Sequence, residues 1–226
     1  MMEHRAGGAV GTPRGRLRIV GGVLLESVAL LASGCLSAQR AAEIELAAAQ
    51  RSTLVGRPAP DFTLPDQDDR PVRLRDARGH WVVIYFYPAD GTAGCTCQAQ
   101  EFTRSHRQFQ RLNAWVYGIS PDSVASHKAV TDAFKLTVPL LSDPDHAVMT
   151  AYGAWAETAW GARAMRSTVM IDPDGRVAWH WPEVIPEGHA ERVRAKLAEL
   201  QQRSARAQPA DIAPAAREPA AAVPGN

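Results

Sequence analysis

The sequence predicts an α/β domain in which helices cover a mixed central β-sheet. Residues 81–87 and 114–119 are continuous apolar runs rich in β-branched and aromatic side chains, which is typical of strands buried on both faces. Apolar residues at helical spacing follow the first run. Two further strand-like segments, residues 167–171 and 176–181, flank the turn sequence Asp172-Pro-Asp-Gly175, which predicts a β-hairpin.

Three helices are predicted from apolar spacing and capping residues. The first begins near Gly94, the second is capped by Asp122 and runs to about Lys135, and the third covers residues 189–200. Their predicted inward residues are, in chain order, Ala99, Phe102, Phe109, Leu112, Val130, Phe134, Val193, Leu197 and Leu200. The order β-α-β-α, then a hairpin, then a helix is the arrangement of a thioredoxin-like domain.

Composition divides the chain of 226 residues into three parts. Residues 1–53 are a predicted leader, residues 54–200 the folded domain, and residues 201–226 a tail too poor in large apolar side chains to order itself. The leader has basic residues, an apolar stretch and then Cys35, which is the order of a bacterial lipoprotein signal. An Ala- and Glu-rich stretch, residues 38–50, follows it as a predicted helical spacer.

Lipidation of Cys35 is the one route to a membrane that the sequence offers. Glu26 lies inside the apolar stretch, where a charge is costly in a membrane. Ala32 stands where such signals usually carry Leu. We therefore expect a cytoplasmic protein, with export or a lipid anchor in the cell envelope as the alternative.

The charge balance and the cysteine content exclude two classes of protein. Lys plus Arg is 25 and Asp plus Glu is 24, so the net charge of +1 gives no basic excess for binding nucleic acid. The chain has three cysteines, which are Cys35, Cys95 and Cys97. A disulfide-stapled scaffold would have more of them, and in even number. They are candidates for reactive thiols, metal ligands or ordinary core residues.

The loop after strand 81–87 is the predicted functional site. Its sequence places Cys95 in the first turn of the next helix, at the sheet edge where open α/β folds hold ligands and catalytic groups. The unpaired N–H groups and the dipole of a helix N-terminus favour an anion, and thiolate is the nucleophilic form of cysteine. Arg166 precedes a strand expected beside the first one, and it is the candidate cation.

Five segments in the right order resemble the peroxiredoxin family, in particular its bacterioferritin-comigratory or Q-type branch, which is AhpC/TSA-like. Pro88, Thr92 and Cys95 have the spacing of the family signature. The other matching segments are Tyr85–Pro88, Gly118–Asp122, Leu141–Asp145 and Arg166–Asp172. The likeness covers roughly residues 56–200.

The resemblance implies a bacterial antioxidant enzyme of cell redox homeostasis that reduces hydrogen peroxide and organic hydroperoxides. Cys95 is expected to be the nucleophile and to become a sulfenic acid. Thr92 is expected to hydrogen-bond the thiolate and the peroxide, Arg166 to stabilise developing charge, and Pro88 to shield the site from water. No cofactor or metal is implied, the expected reductant is thioredoxin or a small thiol, and the expected assembly is a monomer or weak dimer.

The sequence departs from the family pattern close to Cys95. Gln100 stands where many Q-type members carry a resolving Cys, Gln98 replaces a frequent Glu, and Ala93 a frequent Pro. Cys97 is the nearest alternative resolver, but side chains two residues apart on a helix point to different faces, so a disulfide would need the first turn to unwind. We therefore expect a one-Cys cycle with an external thiol, with Cys97 or an unlipidated Cys35 as alternative resolvers.

Three other functions fit the same fold. A thioredoxin-type thiol–disulfide oxidoreductase usually needs Cys-x-x-Cys, whereas one residue separates Cys95 and Cys97. A non-catalytic metal-binding protein, such as a Cu(I) carrier, would use soft thiolates at wider spacing. A peroxiredoxin that has lost efficient turnover would still carry the family motifs. Six histidines are expected at surface or capping positions rather than as ligands: His80, His106, His127, His146, His180 and His189.

Overall fold

The computed structural model describes residues 39–158 and 161–207. Cys35 with its lipoprotein-like stretch, and the predicted disordered tail beyond residue 207, lie outside the described residues. In the part of the chain that is described, no helix has both the length and the apolarity needed to cross a membrane.

Strands and helices alternate from β3 to β6, and strands follow one another directly before and after that stretch. The strands are β1 (Thr63–Pro65), β2 (Pro71–Arg73), β3 (Trp81–Phe86), β4 (Ala114–Ser120), β5 (Leu140–Ser142), β6 (Trp155–Thr158), β7 (Gly161–Ala164), β8 (Ser167–Ile171) and β9 (Val177–Trp181). The helices are α1 (residues 39–49), α2 (Ala93–Arg111), α3 (Val124–Phe134), α4 (Ala147–Ala151) and α5 (His189–Ala207). A short 3-10 helix, Leu74–Ala77, precedes β3.

A five-stranded mixed sheet in the order β5-β4-β3-β8-β9 forms the centre of the domain. The middle strand β3 runs parallel to β4 and antiparallel to β8, so that Ile84 lies opposite both Tyr117 and Val169. This is the predicted α/β, thioredoxin-like arrangement. Because β8 returns antiparallel to β3, the start of β8 lies beside the carboxyl end of β3, where the loop to α2 begins.

The sheet is buried on both faces, as the apolar runs predict. Every residue of β3 is buried. One face packs against α2 and α5 through residues such as Phe102 and Leu197, both fully buried. The other face packs against the β1–β2 hairpin and α4 through residues such as Leu64 and Met149. Each fully buried side chain of this kind contributes about 1.5–3 kcal/mol to stability.

The helix α3 ends at Phe134, in agreement with the predicted end near Lys135, but its cap and one of its inward residues differ from the prediction. It begins at Val124, and Ser123 is its cap, with the Ser123 side chain accepting a hydrogen bond from the Ser126 N–H. The predicted cap Asp122 instead accepts from the Ser120 hydroxyl. The predicted inward residue Phe134 is 40% exposed, and the buried residue of the helix is a histidine that the sequence placed at the surface.

The helical structure extends beyond the predicted limits of 54 and 200 at both ends. The predicted spacer is helical over residues 39–49, but it is not a free spacer, because Glu45, Ala48 and Ala49 are buried. The helix α5 continues through Ala207. Residues 41–49 and 201–207 therefore belong to the described domain.

Candidate active site

Cys95 is the third residue of α2 and is only 4% exposed. The preceding cap, Thr92, has extended backbone angles of φ −74° and ψ 147°, and its side chain makes no capping hydrogen bond. No acidic residue occupies the first turn of α2. The dipole of the helix N-terminus therefore acts on the buried sulfur without a neighbouring carboxylate in that turn to offset it.

The guanidinium of Arg166 lies directly against the sulfur. Its Nη2 donates to Cys95 Sγ at 3.1 Å. Arg166 reaches this position because it immediately precedes β8, whose first residue Ser167 is paired with Phe86 at the end of β3. The predicted proximity of this cation to Cys95 is confirmed. Among the described residues, no carboxylate lies within ion-pair distance of Arg166, so its charge faces the sulfur without an anionic competitor.

Gln98 holds the other side of the guanidinium. Its Oε1 accepts from Arg166 Nη1 at 2.5 Å, and the residue is completely buried one turn after Cys95. Because the amide is neutral, it orients the guanidinium without cancelling its charge. The sequence analysis noted Gln98 only as a departure from the family pattern. Its spacing of three residues from Cys95 could have indicated its position, because residues three apart on a helix lie on the same face. We call Cys95, Gln98 and Arg166 the site cluster.

Several buried polar atoms around the site cluster have no protein partner. They are the Tyr85 hydroxyl, Thr96 Oγ1, Gln98 Nε2 and Ser167 Oγ. Leaving such an atom unsatisfied costs about 1–3 kcal/mol. Burial, and to a smaller extent the charge of Asp90, raises the pKa of Tyr85, so its phenol stays protonated and able to donate. The site therefore has hydrogen-bonding capacity that a polar substrate can use.

A small cavity of about 10 Å³ adjoins the sulfur. It is lined by Tyr87, Asp90, Gly91, Cys95, Thr96, Ala99, Val130 and Leu140. Its volume is about that of one water-sized probe. The larger cavities, of about 590, 440 and 300 Å³, do not have Cys95 among their lining residues. The space beside the sulfur in the resting site is therefore no larger than a water molecule, and a bulky molecule does not fit there without movement of the site.

The other two signature residues lie at the exposed rim. Pro88 and Thr92 are both exposed. The Thr92 hydroxyl donates to the carbonyl of Ala89 at 3.3 Å, so the predicted hydrogen bond to the sulfur is not among those of the described residues. The reason is that Thr92 is the cap of α2, and its side chain turns back to the loop before it. The structure thus brings Cys95 and Arg166 together and leaves Pro88 and Thr92 exposed to solvent.

A buried polar cluster, which we call the loop anchor, fixes the loop between β3 and α2. Asp90 accepts from the Tyr87 hydroxyl at one oxygen, and from Ser126 Oγ and His127 Nδ1 at the other, each at 2.8 Å. The Asp90 N–H donates to Asp122 at 2.8 Å. Burial alone would raise the pKa of the Asp90 carboxyl, but its hydrogen bonds and the charge of His127 outweigh burial and lower it. The sequence expected His127 at the surface, whereas its side chain is completely buried.

Cys97 is free and half-buried in α2. Two residues along an α-helix correspond to a rotation of about 200°, so its side chain points away from the face that carries Cys95. In the described ranges, no group of three or more His, Cys, Asp or Glu side chains is arranged to hold a metal ion.

Known proteins are similar to this chain in sequence and in fold. The model of the AhpC/TSA family matches residues 55–180, more than half of the chain. Peroxiredoxin Bcp of Bacillus subtilis is 34% identical over 153 residues, which cover 66% of this chain and 98% of that protein. The chloroplastic peroxiredoxin Q of Oryza sativa subsp. japonica is 43% identical over 135 residues, which cover 59% of this chain and 62% of that protein.

Solved structures of peroxiredoxins are also similar to this chain. A structure of the Xanthomonas campestris bacterioferritin comigratory protein, studied for its alkyl peroxide reduction activity, matches with a TM-score of 0.60 and 34% identity. The match covers 61% of this chain and 90% of that one. With its cysteine in the first turn of α2, its family match and these relatives, the chain belongs to the AhpC/TSA family as a Q-type peroxiredoxin, and it is a thiol-dependent peroxidase.

Proposed function

We propose that Cys95 is the nucleophile of the peroxidase reaction and that Arg166 is the residue that keeps it reactive. The observation that carries the proposal is the contact of 3.1 Å between Arg166 Nη2 and the buried Sγ of Cys95. A cation at this distance stabilises a thiolate more strongly in a buried site than it would in water. The helix N-terminus acts in the same direction.

The chemical step is a displacement at oxygen. The thiolate of Cys95 attacks the terminal oxygen of a hydroperoxide, the S–O bond forms and the O–O bond breaks. The sulfur is oxidised by two electrons to a sulfenic acid, and the leaving alkoxide or hydroxide takes a proton from solvent to become an alcohol or water. Arg166 is placed to stabilise negative charge as it moves from sulfur to the leaving oxygen.

The unpartnered donors near Cys95 support binding of the peroxide. The Tyr85 hydroxyl and Gln98 Nε2 are buried donors with no protein acceptor. Thr92 is proposed to contribute at the entrance, where a rotation of its hydroxyl from Ala89 would direct it to the incoming oxygen. Pro88 is proposed to limit access of water from the same side.

We propose that an external thiol, such as thioredoxin or a small thiol, recycles the enzyme in a one-Cys cycle. The thiol attacks the sulfenic acid, giving a mixed disulfide and water, and a second thiol then releases reduced Cys95 and a new disulfide. The absence of a cysteine at Gln100 and the opposite direction of Cys97 support this cycle. Cys97 and Cys35 remain the alternative resolvers.

Mass spectrometry after one equivalent of peroxide tests nucleophile and cycle together. With a reagent that traps sulfenic acids, we expect the adduct on the peptide that contains Cys95. A Cys95→Ser variant is the control and should give no adduct and no peroxide consumption. An intramolecular disulfide to Cys97 or Cys35 would refute the one-Cys cycle, and turnover by the Cys95→Ser variant would refute the nucleophile.

We propose a cytoplasmic monomer or weak dimer. The sequence of the leader supports the compartment, since Glu26 and Ala32 depart from a lipoprotein signal. The site cluster supports the assembly, because all its groups come from one chain. Metabolic labelling with a fatty acid that marks the wild type but not a Cys35→Ser variant would overturn the compartment, and sedimentation as a tight oligomer would overturn the assembly.

A further inference from the structure

Glu45, in α1, is a buried carboxylate with several hydrogen-bonding partners. It lies outside the part of the chain that matches the family, which begins at residue 55. The Glu45 side chain is 1% exposed. Its two oxygens accept from Arg192 Nη2 at 2.7 Å and Nε at 2.8 Å, a bidentate arrangement. The same carboxylate accepts from the Ile185 N–H at 3.0 Å and contacts His189 Nδ1 at 3.2 Å.

His189 extends this cluster to the strand that follows Arg166. Burial lowers the pKa of His189, so the imidazole is neutral near neutral pH. A neutral ring has one donor and one acceptor, and Glu45 can only accept, so Nδ1 carries the proton. The other nitrogen, Nε2, then accepts from the Thr168 hydroxyl at 3.0 Å. Thr168 lies on β8, two residues after Arg166.

The same cluster holds residues 185–188, which we call the support loop. Arg192 donates to the carbonyl oxygens of Ile185 at 2.7 Å and Glu187 at 2.9 Å. At the far end of the loop, the Gly188 N–H donates at 2.8 Å to Glu101 on α2. The support loop is thus fixed to α5 and α1 on one side and to the active-site helix on the other.

The support loop meets the site cluster at Gly94, the residue before Cys95. A Cβ atom built on Gly94 would lie 3.6 Å from Arg166 Nη2 and 3.7 Å from Pro186 Cγ. The side chains of Arg166 and Pro186 therefore both border Gly94. We call the Pro186 ring the wall, and the support loop that carries it is held by Glu45 through the Ile185 N–H and Arg192.

We propose that Glu45 is a positioning residue for the Arg166–Cys95 pair and acts through the support loop. The inference rests on the proposed role of Arg166. When the carboxylate is removed, Arg192 loses its ionic partner and the Ile185 N–H its acceptor, so the support loop gains freedom. The guanidinium then occupies its position against Sγ for less of the time. Helix α1 then contributes to the activity through Glu45 and is not only a spacer.

The test compares Glu45→Gln, which keeps the shape of the side chain, with Glu43→Gln at an exposed position on the same helix. A displacement of a catalytic group by about 1 Å can cost about 100-fold in rate, so we expect the peroxide reaction of Glu45→Gln to slow by about 10- to 100-fold. Its pH–rate profile should move to higher pH, and Glu43→Gln should match the wild type. A folded Glu45→Gln variant with the wild-type rate and pH profile would overturn the proposal.

Two further variants keep every outcome informative. Pro186→Ala leaves the Glu45 cluster intact and removes only the wall, so it should slow the peroxide reaction in the same direction but less. If Glu45→Gln does not fold, an unchanged rate in Pro186→Ala overturns the proposal and a slowed rate supports it. Arg166→Ala in the same assay distinguishes a failure of the proposed role of Arg166 from a failure of the positioning role of Glu45. If that variant keeps its rate, the proposed role of Arg166 fails, whereas a slow Arg166→Ala beside a normal Glu45→Gln refutes only the positioning role.

Discussion

The site cluster and the loop anchor are both polar and largely buried, but the charged groups at their centres have different numbers of partners. In the loop anchor, the Asp90 carboxylate receives three hydrogen bonds from side chains. In the site cluster, Gln98 Nε2 has no partner, and no described carboxylate pairs with Arg166. The contrast lies at the central charged group of each cluster, since His127 Nε2 in the loop anchor also has no partner. A carboxylate with three donors holds a backbone in place, whereas a guanidinium without a carboxylate keeps binding capacity for a substrate and for developing charge.

The comparison predicts that changes in the site cluster affect the rate and changes in the loop anchor affect stability. Arg166→Ala should slow the reaction with peroxide by about 100- to 1,000-fold, the usual effect of removing one preorganised donor to developing charge. Stopped-flow measurement of a single turnover gives the rate. Arg163→Ala, at an exposed position of β7, is the control and should react as the wild type does. Equal rates for the two variants would contradict the role of Arg166.

Asp90→Ala should show the opposite balance. It removes the acceptor of three buried donors, each of which costs about 1–3 kcal/mol when left unsatisfied, so the free energy of unfolding should fall by at least that amount. The rate of peroxide reduction by the protein that remains folded should fall less than in Arg166→Ala. Urea denaturation and single-turnover kinetics on the same preparation measure both. A stable but inactive Asp90→Ala variant would place this residue in the chemistry instead.

The loop anchor should also be sensitive to acid. The pKa of Asp90 is lowered from its ordinary value of 3.8 in the folded protein, so its stabilising effect is complete above that value and is lost as the pH falls below it. The unfolding free energy of the wild type should therefore decrease more between mildly and strongly acidic pH than that of Asp90→Asn. Parallel slopes for the two proteins would show that the carboxylate is not stabilised in the fold.

Gln98→Ala should have a smaller effect on the rate than Arg166→Ala. It removes one hydrogen bond to a charged group, about 1.5 kcal/mol, which corresponds to a rate about tenfold lower if that bond orients the guanidinium. Stability should change little, because one unsatisfied amide N–H disappears with it. Gln108→Ala, at an exposed position on the same helix, is the control. A Gln98→Ala rate equal to that of the control would show that Arg166 needs no orienting partner.

Cys97→Ser should have the smallest effect. The side chain points away from the site cluster, so the first turnover with peroxide should proceed at the wild-type rate. Turnover with thioredoxin or a small thiol should continue as well if the cycle uses one Cys. Loss of multiple turnover with an intact first turnover would instead identify Cys97 as the resolver.

The sequence predicted the features that depend on local pattern. The buried runs of β3 and β4 and the turn at Asp172–Gly175 are local, and all were confirmed. The position of Cys95 in the first turn of α2 follows from where a strand ends and a helix begins. Strands of three residues, such as β1 and β5, were missed because so short a segment has no measurable periodicity.

The polar clusters were missed for a different reason. Glu45 and His189 are separated by 144 residues, and Asp90 and His127 by 37, so no spacing rule connects them. Residue type alone also does not distinguish a buried charged or titratable residue from an exposed one, and most residues of these types lie at the surface. The contact of Arg166 with Cys95 was anticipated from its place before a strand expected beside the first one, and its role from the resemblance of its segment to a known family.

The rate at which the enzyme reacts with one equivalent of peroxide tests the central claim most directly. In a Cys97→Ser background at neutral pH, we expect a fast single turnover that the further change Cys95→Ser abolishes and the further change Arg166→Ala slows by about 100- to 1,000-fold. A turnover that persists without Cys95, or one that is as fast without Arg166, would contradict the central claim.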